Sequence, residues 1–307
     1  MTHPSVTVDA PLAPIPPRKT IRDWLHAARQ RSTAHAVLLV ALDYALFVAL
    51  LAAVVVAPHV LLKLGCGLAA GFVIGRLFIL GHDACHQSFT AHRTLNRVLG
   101  RLVFLPSLTP YSLWEVGHNV VHHGYTNLKD FDFVWAPLTP AEYRALPAWR
   151  RALERVYRSG WAPGLYYLIE IWWLRMYFPR GRYLKAQRRA FFWDCALVTA
   201  FAGLWVAALI VLAVLTAQSV LTLVACGFVL PFAAWNTMIG FVVYVHHTHP
   251  AIVWHADKAA WAEAAPFVST TVHLKLPYGL GGAMHQIMEH TAHHVDMGIP
   301  LYRLADA

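Results

Sequence analysis

Residues 60–86 read VLLKLGCGLAAGFVIGRLFILGHDACH. Val60–Leu80 is long and apolar enough to cross a bilayer core, which takes about 20 residues. It runs straight into two histidines four positions apart, His82 and His86. This stretch decides the fold class, because it joins a membrane span directly to a group of metal-binding side chains. Three further runs have the same length and character: Ala34–Ala57, Phe191–Ala217 and Val220–Val245. Only Pro58-His59 separates the first two and Gln218-Ser219 the last two, so the four spans form two antiparallel hairpins. The 307-residue chain is 58% hydrophobic and 13% charged. Soluble domains carry about a quarter charged residues, so a bilayer must take up the apolar surface. The reading is an all-α integral membrane protein with four spans, interfacial helices and a cytosolic helical cap.

The formal net charge of +9 would suggest nucleic-acid binding in a soluble protein. Here the basic residues flank apolar runs, which excludes nucleic acid and points to topology and lipid headgroups. Segment 1–33 holds five Lys/Arg, segment 82–190 holds fifteen, and the two hairpin joints hold none. Both termini and all the histidine clusters are therefore placed on the cytoplasmic side of an inner or cytoplasmic membrane. Residues 1–20 are Pro-rich and read as a disordered tail, ahead of a single domain over 21–307. Residues 21–31 read as a short interfacial helix, and Trp161–Phe178, with Glu170 and Arg175, as an interfacial or re-entrant helix. The four cysteines form no CxxC pair and no disulfide framework.

Eleven of the 19 histidines fall in four clusters at the edges of apolar runs: His82 and His86; His118, His122 and His123; His246, His247 and His249; His290, His293 and His294. Imidazole suits Fe, Zn, Cu and Ni. On an α-helix, i and i+4 share a face, so His82/His86 and His118/His122 each offer two rings to one metal environment. His290, His293 and His294 fit within one turn's arc. Neighbours such as His122-His123 diverge by about 100° and suit two adjacent metals, which argues for a dinuclear site. A structural zinc takes four ligands, fewer than these clusters supply. Asp83, Asp132, Glu289 and Asp296 are candidates to accept the distal N–H of ligand rings, with a helix cap or a solvated loop acid the equal alternative for each. A histidine-lined transporter would carry acids along its spans; the spans hold Asp43 and Asp194, and the clusters lie outside the midplane.

Five tracts resemble the membrane fatty acid desaturase superfamily, closest to its acyl-lipid delta-12/omega-6-like branch. They are Gly81–His86; Trp114-Glu115-Val116-Gly117-His118 through His122-His123 and Tyr125-Thr126-Asn127; Asp132–Pro137; His246–Pro250; and His285–His290 into His293-His294 and Ile299–Tyr302. The resemblance covers about residues 35–304. It implies a mushroom-shaped helical fold and two iron ions held by His82, His86, His118, His122, His123, His247, His290, His293 and His294. His285 joins Asp83 and Glu289 as a supporting residue. The implied activity is O2-dependent insertion of a cis double bond into a lipid or acyl substrate. Hydroxylation, ketolation or decarboxylation to a terminal alkene is the alternative at the same centre. The chain has neither a His-Pro-Gly-Gly haem motif nor a flavin fingerprint, so electrons come from a ferredoxin-like or cytochrome b5-like donor. The run Arg150, Arg151, Arg155 and Arg158 is a candidate docking patch for it, with contact to lipid headgroups the equal alternative.

Overall fold

The computed structural model describes residues 14–180 and 188–307. Helix α1 (Arg18–Trp24) begins inside the stretch expected to be a loose tail, whose first 13 residues lie outside the described part. Four helices are long and apolar enough to span a bilayer: α2 (Thr33–Val56), α3 (Val60–Cys85), α6 (Arg189–Leu215) and α7 (Val220–His247). Between α3 and α6 lie α4 (Arg93–Phe104) and α5 (Tyr111–Glu115), the latter running into a π-helical segment, Val116–His122. A short helix, α8 (His290–Val295), closes the described chain's last histidine cluster. Among the described residues there is no β-strand, only a single bridge between Leu128 and His255.

The hairpins follow from local chemistry. Ser32 caps α2 by accepting from the His35 amide, and α2 stops at Ala57, ahead of Pro58. The last carbonyls of α2 would be orphaned in lipid. Lys63 answers them, its Nζ donating to the Val54 and Val55 carbonyls at 2.7 and 3.2 Å. This explains a charge three residues inside a span.

Helix α3 is the hub: 61% of its apolar window is buried, against 28%, 22% and 33% for α2, α6 and α7. It meets α7 along Gly67, Gly71 and Gly75. A Cβ at Gly67 would lie 2.3 Å from the Cys226 carbonyl oxygen, and one at Gly71 2.7 Å from that of Pro231. Without a hydrophobic drive between helices in lipid, close backbone approach of this kind supplies the packing. Both α3 and α7 run past their expected ends at Leu80 and Val245, so His82, His246 and His247 leave the membrane on rigid helix. Trp161–Phe178 forms Pro163–Tyr166 and a π-helical Tyr167–Met176, too short together to cross. Its Glu170 is buried and paired with Arg150.

Two ion-paired anchors lie within the apolar layer. Asp43 of α2 holds Arg76 of α3 through Oδ1 at 2.7 and 3.0 Å, while its Oδ2 meets His285 Nε2 at 2.6 Å. Asp194 of α6 binds Arg101 of α4 and accepts from the Ser112 amide of α5.

Candidate metal centre

The histidines converge at the end of the bundle where α3 and α7 terminate. They divide into two groups whose nitrogens lie within 4.8 Å of one another. One group is His82, His86, His118, His123 and His293. The other is His122, His247, His290 and His294. The groups touch: the His123 and His294 ring centroids are 4.3 Å apart.

The division departs from the helix-face reading at two places. His118 and His122 do not share an environment. The backbone there is π-helical, with the His123 amide bonded to the His118 carbonyl, and i→i+5 spacing brings His118 and His123 together. Their Nε2 atoms are 3.0 Å apart. Likewise His290 pairs with His294, four residues on, while His293 points to the other group, with its Nε2 3.1 Å from that of His123. Both adjacent pairs, His122-His123 and His293-His294, are split between the groups.

Several rings are fixed from behind. His122 Nδ1 faces Asp132 Oδ2 at 3.1 Å, and Asp132 is itself held by the amides of Asn127 and Val134. His247 Nδ1 faces the Thr270 carbonyl at 3.1 Å. Such partners select the tautomer that leaves Nε2 bare toward the site. Trp114 stacks on His118 at 4.0 Å, and His246 stacks on His290 at 4.3 Å while its Nδ1 faces the Val272 carbonyl. Burial holds His86, His118, His123, His290, His293 and His294 well below the ordinary imidazole range, and the neighbouring imidazoles add to it. Neutral imidazole is the form that binds metal.

Other expected supporters lie elsewhere. Asp83 accepts from Ser88 Oγ and the Leu301 amide, so it ties the turn after α3 to the chain end. Glu289 pairs with His273 at 2.8 Å. Asp296 pairs with Arg22 and Arg29, and His285 with Asp43. None of these four meets a clustered imidazole. His249 is exposed and stays outside both groups. Trp114 and Thr126, which donates to the His122 carbonyl, sit within the tract around the second cluster but carried no separate signal. The carbonyl of Thr270 carries none in any sequence.

The residues fit bound metal. Nε2 atoms of His118/His123, His123/His293, His247/His290 and His290/His294 face each other at 3.0–3.1 Å. Bare nitrogens at that separation repel unless a cation lies between them. Two ligands at about 2.0–2.1 Å from one ion stand roughly 3 Å apart. His82 Nδ1 and Nε2, His86 Nε2 and His290 Nδ1 are buried without a partner, which is costly in an apolar interior.

An apolar slot leads to the histidines. Its walls include Phe78, Phe133, Ile171, Met176, Ile239 and Val242, and its lining also includes His82, His118, His122, His247 and His290.

Four helices long and apolar enough to cross a membrane, with nine histidines gathered in two adjacent nitrogen-rich groups that could hold metal, define a multi-pass membrane protein with a histidine-rich centre. The profile of the fatty acid desaturase family matches residues 58–307, and the chain belongs to that family of oxidoreductases of lipid metabolism. It is 32% identical over 280 residues to the sn-1 oleoyl-lipid 12-desaturase of Picosynechococcus sp., covering 87% of this chain and 74% of that protein. It is 30% identical to the chloroplastic omega-6 fatty acid desaturase of Arabidopsis thaliana, over 77% of this chain and 50% of the relative. The sn-1 oleoyl-lipid 12-desaturase of Synechocystis sp. is 28% identical, over 76% of this chain and 64% of its own length.

Proposed function

We propose that the chain is an O2-dependent desaturase that introduces a cis double bond into a lipid-borne acyl chain, by its similarity to the named relatives an oleoyl chain. The observation that carries this reading is the apolar slot ending among imidazoles of both groups. Its walls suit a hydrocarbon and offer nothing to a charged substrate. One iron is assigned to His82, His86, His118, His123 and His293, the other to His122, His247, His290 and His294. Two bound irons would supply O2 activation and the removal of hydrogen from an unactivated methylene. Two hydrogens leave the acyl chain; with two electrons and two protons from outside, they reduce O2 to two waters. The irons and both termini are assigned to the cytoplasmic side by the Lys/Arg bias between hairpin joints and connecting segments.

The protein's own residues do the positioning. Asp132 and the Thr270 carbonyl hold His122 and His247 in one tautomer. Transferring a methylene from water to an apolar site is worth about 0.8 kcal/mol, but a chain arriving from the bilayer gains none of this. Its register at the irons must therefore come from the shape of the slot. Gly117 and Met176 face each other there: a Cβ on Gly117 would lie 2.7 Å from Met176 Cε.

The test is gas chromatography–mass spectrometry of fatty acids and hydrocarbons from cells expressing the chain, beside a His293→Ala control, with iron measured on the purified protein. A new polyunsaturated acid, lost in the control, and about two irons per chain are expected. A hydroxylated, ketolated or terminal-alkene product would keep the metal centre and overturn desaturation.

A further inference from the structure

A second cleft reaches the histidines, at His86, and charged side chains line it. This cleft is lined by Arg18, Arg22, His86, Asn119 and Asp296. A neighbouring cleft is lined by Arg18, Lys19, Arg22, Asp23 and Arg29. They share Arg18 and Arg22, forming a continuous basic trough with His86 in its wall. No residue of this trough lines the apolar slot. Its four cations face two carboxylates, and one of these, Asp296, has no exposed side-chain surface. The negative charge is thus sunk between Arg22 and Arg29, while the cations stay partly exposed. Arg18 donates to the carbonyls of His294 and Val295 at 2.8 and 3.0 Å, neutral acceptors that leave its charge uncancelled. This bond also connects the trough directly to the backbone of α8.

The arginine run at 150–158 lacks this connection. Arg150 binds Glu154 and Glu170, Arg158 binds Glu154, Arg151 donates to the Leu146 carbonyl and Arg155 to the Tyr143 hydroxyl. None of the four lines the apolar slot or either of these two clefts.

We propose that the Arg18–Arg29 trough is the docking face for the electron donor, an acidic one-electron carrier protein whose carboxylates meet Lys19, Arg22 and Arg29. The inference rests on the desaturase reading, since that reaction draws electrons from outside. Each docking oxidises the carrier by one electron and delivers that electron beside His86, and two dockings serve each double bond. The trough keeps reductant and hydrocarbon on separate routes to one centre. Charge complementarity of this kind steers encounter and weakens as salt rises.

The experiment uses the full iron-loaded chain in phosphatidylcholine nanodiscs, with an acidic plant-type [2Fe–2S] ferredoxin as probe. Affinity for the ferredoxin is measured, together with the ratio of ferredoxin-driven to dithionite-driven product formation. Lys19→Glu/Arg22→Glu is expected to weaken binding at least 10-fold and lower the ratio in proportion, and salt should act in the same direction. Arg151→Glu/Arg155→Glu should do neither. Lys19→Glu alone, at an exposed position bonded only to Asp23, keeps the test open if the double variant does not fold. Unchanged affinity in the trough variants, or a loss confined to the 151/155 variant, overturns the proposal. An effect seen only in discs containing anionic lipid would make the trough a headgroup site and overturn it too. Absence of product with either reductant would overturn the desaturase reading, while the affinity measurement still decides the docking face.

Discussion

His122 and His123 are joined by one peptide bond and serve different nitrogen groups, and the same is true of His293 and His294. The identity of the clustered residues was legible in the sequence because histidines seldom gather at span ends by chance. Their partition was not, because it depends on a π-helical register that residue spacing alone does not announce. The carboxylates were least legible. Asp83, Asp132, Glu289 and Asp296 are equivalent in sequence, and only Asp132 meets a clustered ring, since the turn after Thr126 carries it back behind His122. Asp132→Ala should therefore lower iron affinity about 10- to 100-fold, the usual cost of losing such support. Asp83→Asn should leave it within about 3-fold. Iron retained after dialysis against a graded chelator series measures both. Filling the slot at Gly117 separates chemistry from metal: Gly117→Leu should retain iron and cut product formation by about 100-fold or more, since misplacement by about 1 Å can cost that much. Product assay beside iron analysis would decide it.

At the scale of elements, the spans were readable from hydropathy to within a few residues. What hydropathy could not give is which helix sits at the centre. That follows from Gly67, Gly71 and Gly75, whose meaning appears only once α7 lies against them. Gly71→Leu would drive a side chain into the Pro231 backbone. It should destabilise the α3–α7 pair by about 1–3 kcal/mol, as overpacking commonly does, visible as a lower midpoint in thermal unfolding in detergent. The Asp43–Arg76–His285 anchor belongs to the same scale. Arg76 also donates to the Ala283 carbonyl, and the loop it grips turns through His285 and Gln286, both at positive φ, four residues before α8. The anchor thus sets where α8 starts. Asp43→Asn should leave a folded, monodisperse protein whose iron content falls in the group containing His290 and His294. Mössbauer spectra of 57Fe-loaded protein would reveal this as loss of one of two iron environments; two intact environments would show the anchor has no hold on the centre.

For the molecule as a whole, the histidine end is a store of neutral imidazoles packed at a cost that metal relieves. In metal-free protein, burial holds six of these groups outside the spans well below the unfolded value near 6.5. Below that value the unfolded chain takes up protons that the folded chain refuses. Stability is then flat above about pH 7.5 and declines as pH falls through 6.5 toward the depressed folded values. Thermal melts of chelator-stripped protein between pH 8 and 5 should fall steadily on the acid side. Iron-loaded protein should resist until the metal is released, because ligand bound only to the folded state adds about 2.7 kcal/mol at 100 times its dissociation constant. The alternation of site membership through Val116–His123 also constrains inheritance. A single-codon deletion between His118 and His122 would carry His123 into the place of His122, toward the other nitrogen group, and leave Gly124 in the place of His123. The stretch can therefore drift by substitution but hardly by change of length, and any viable insertion would have to restore both registers at once.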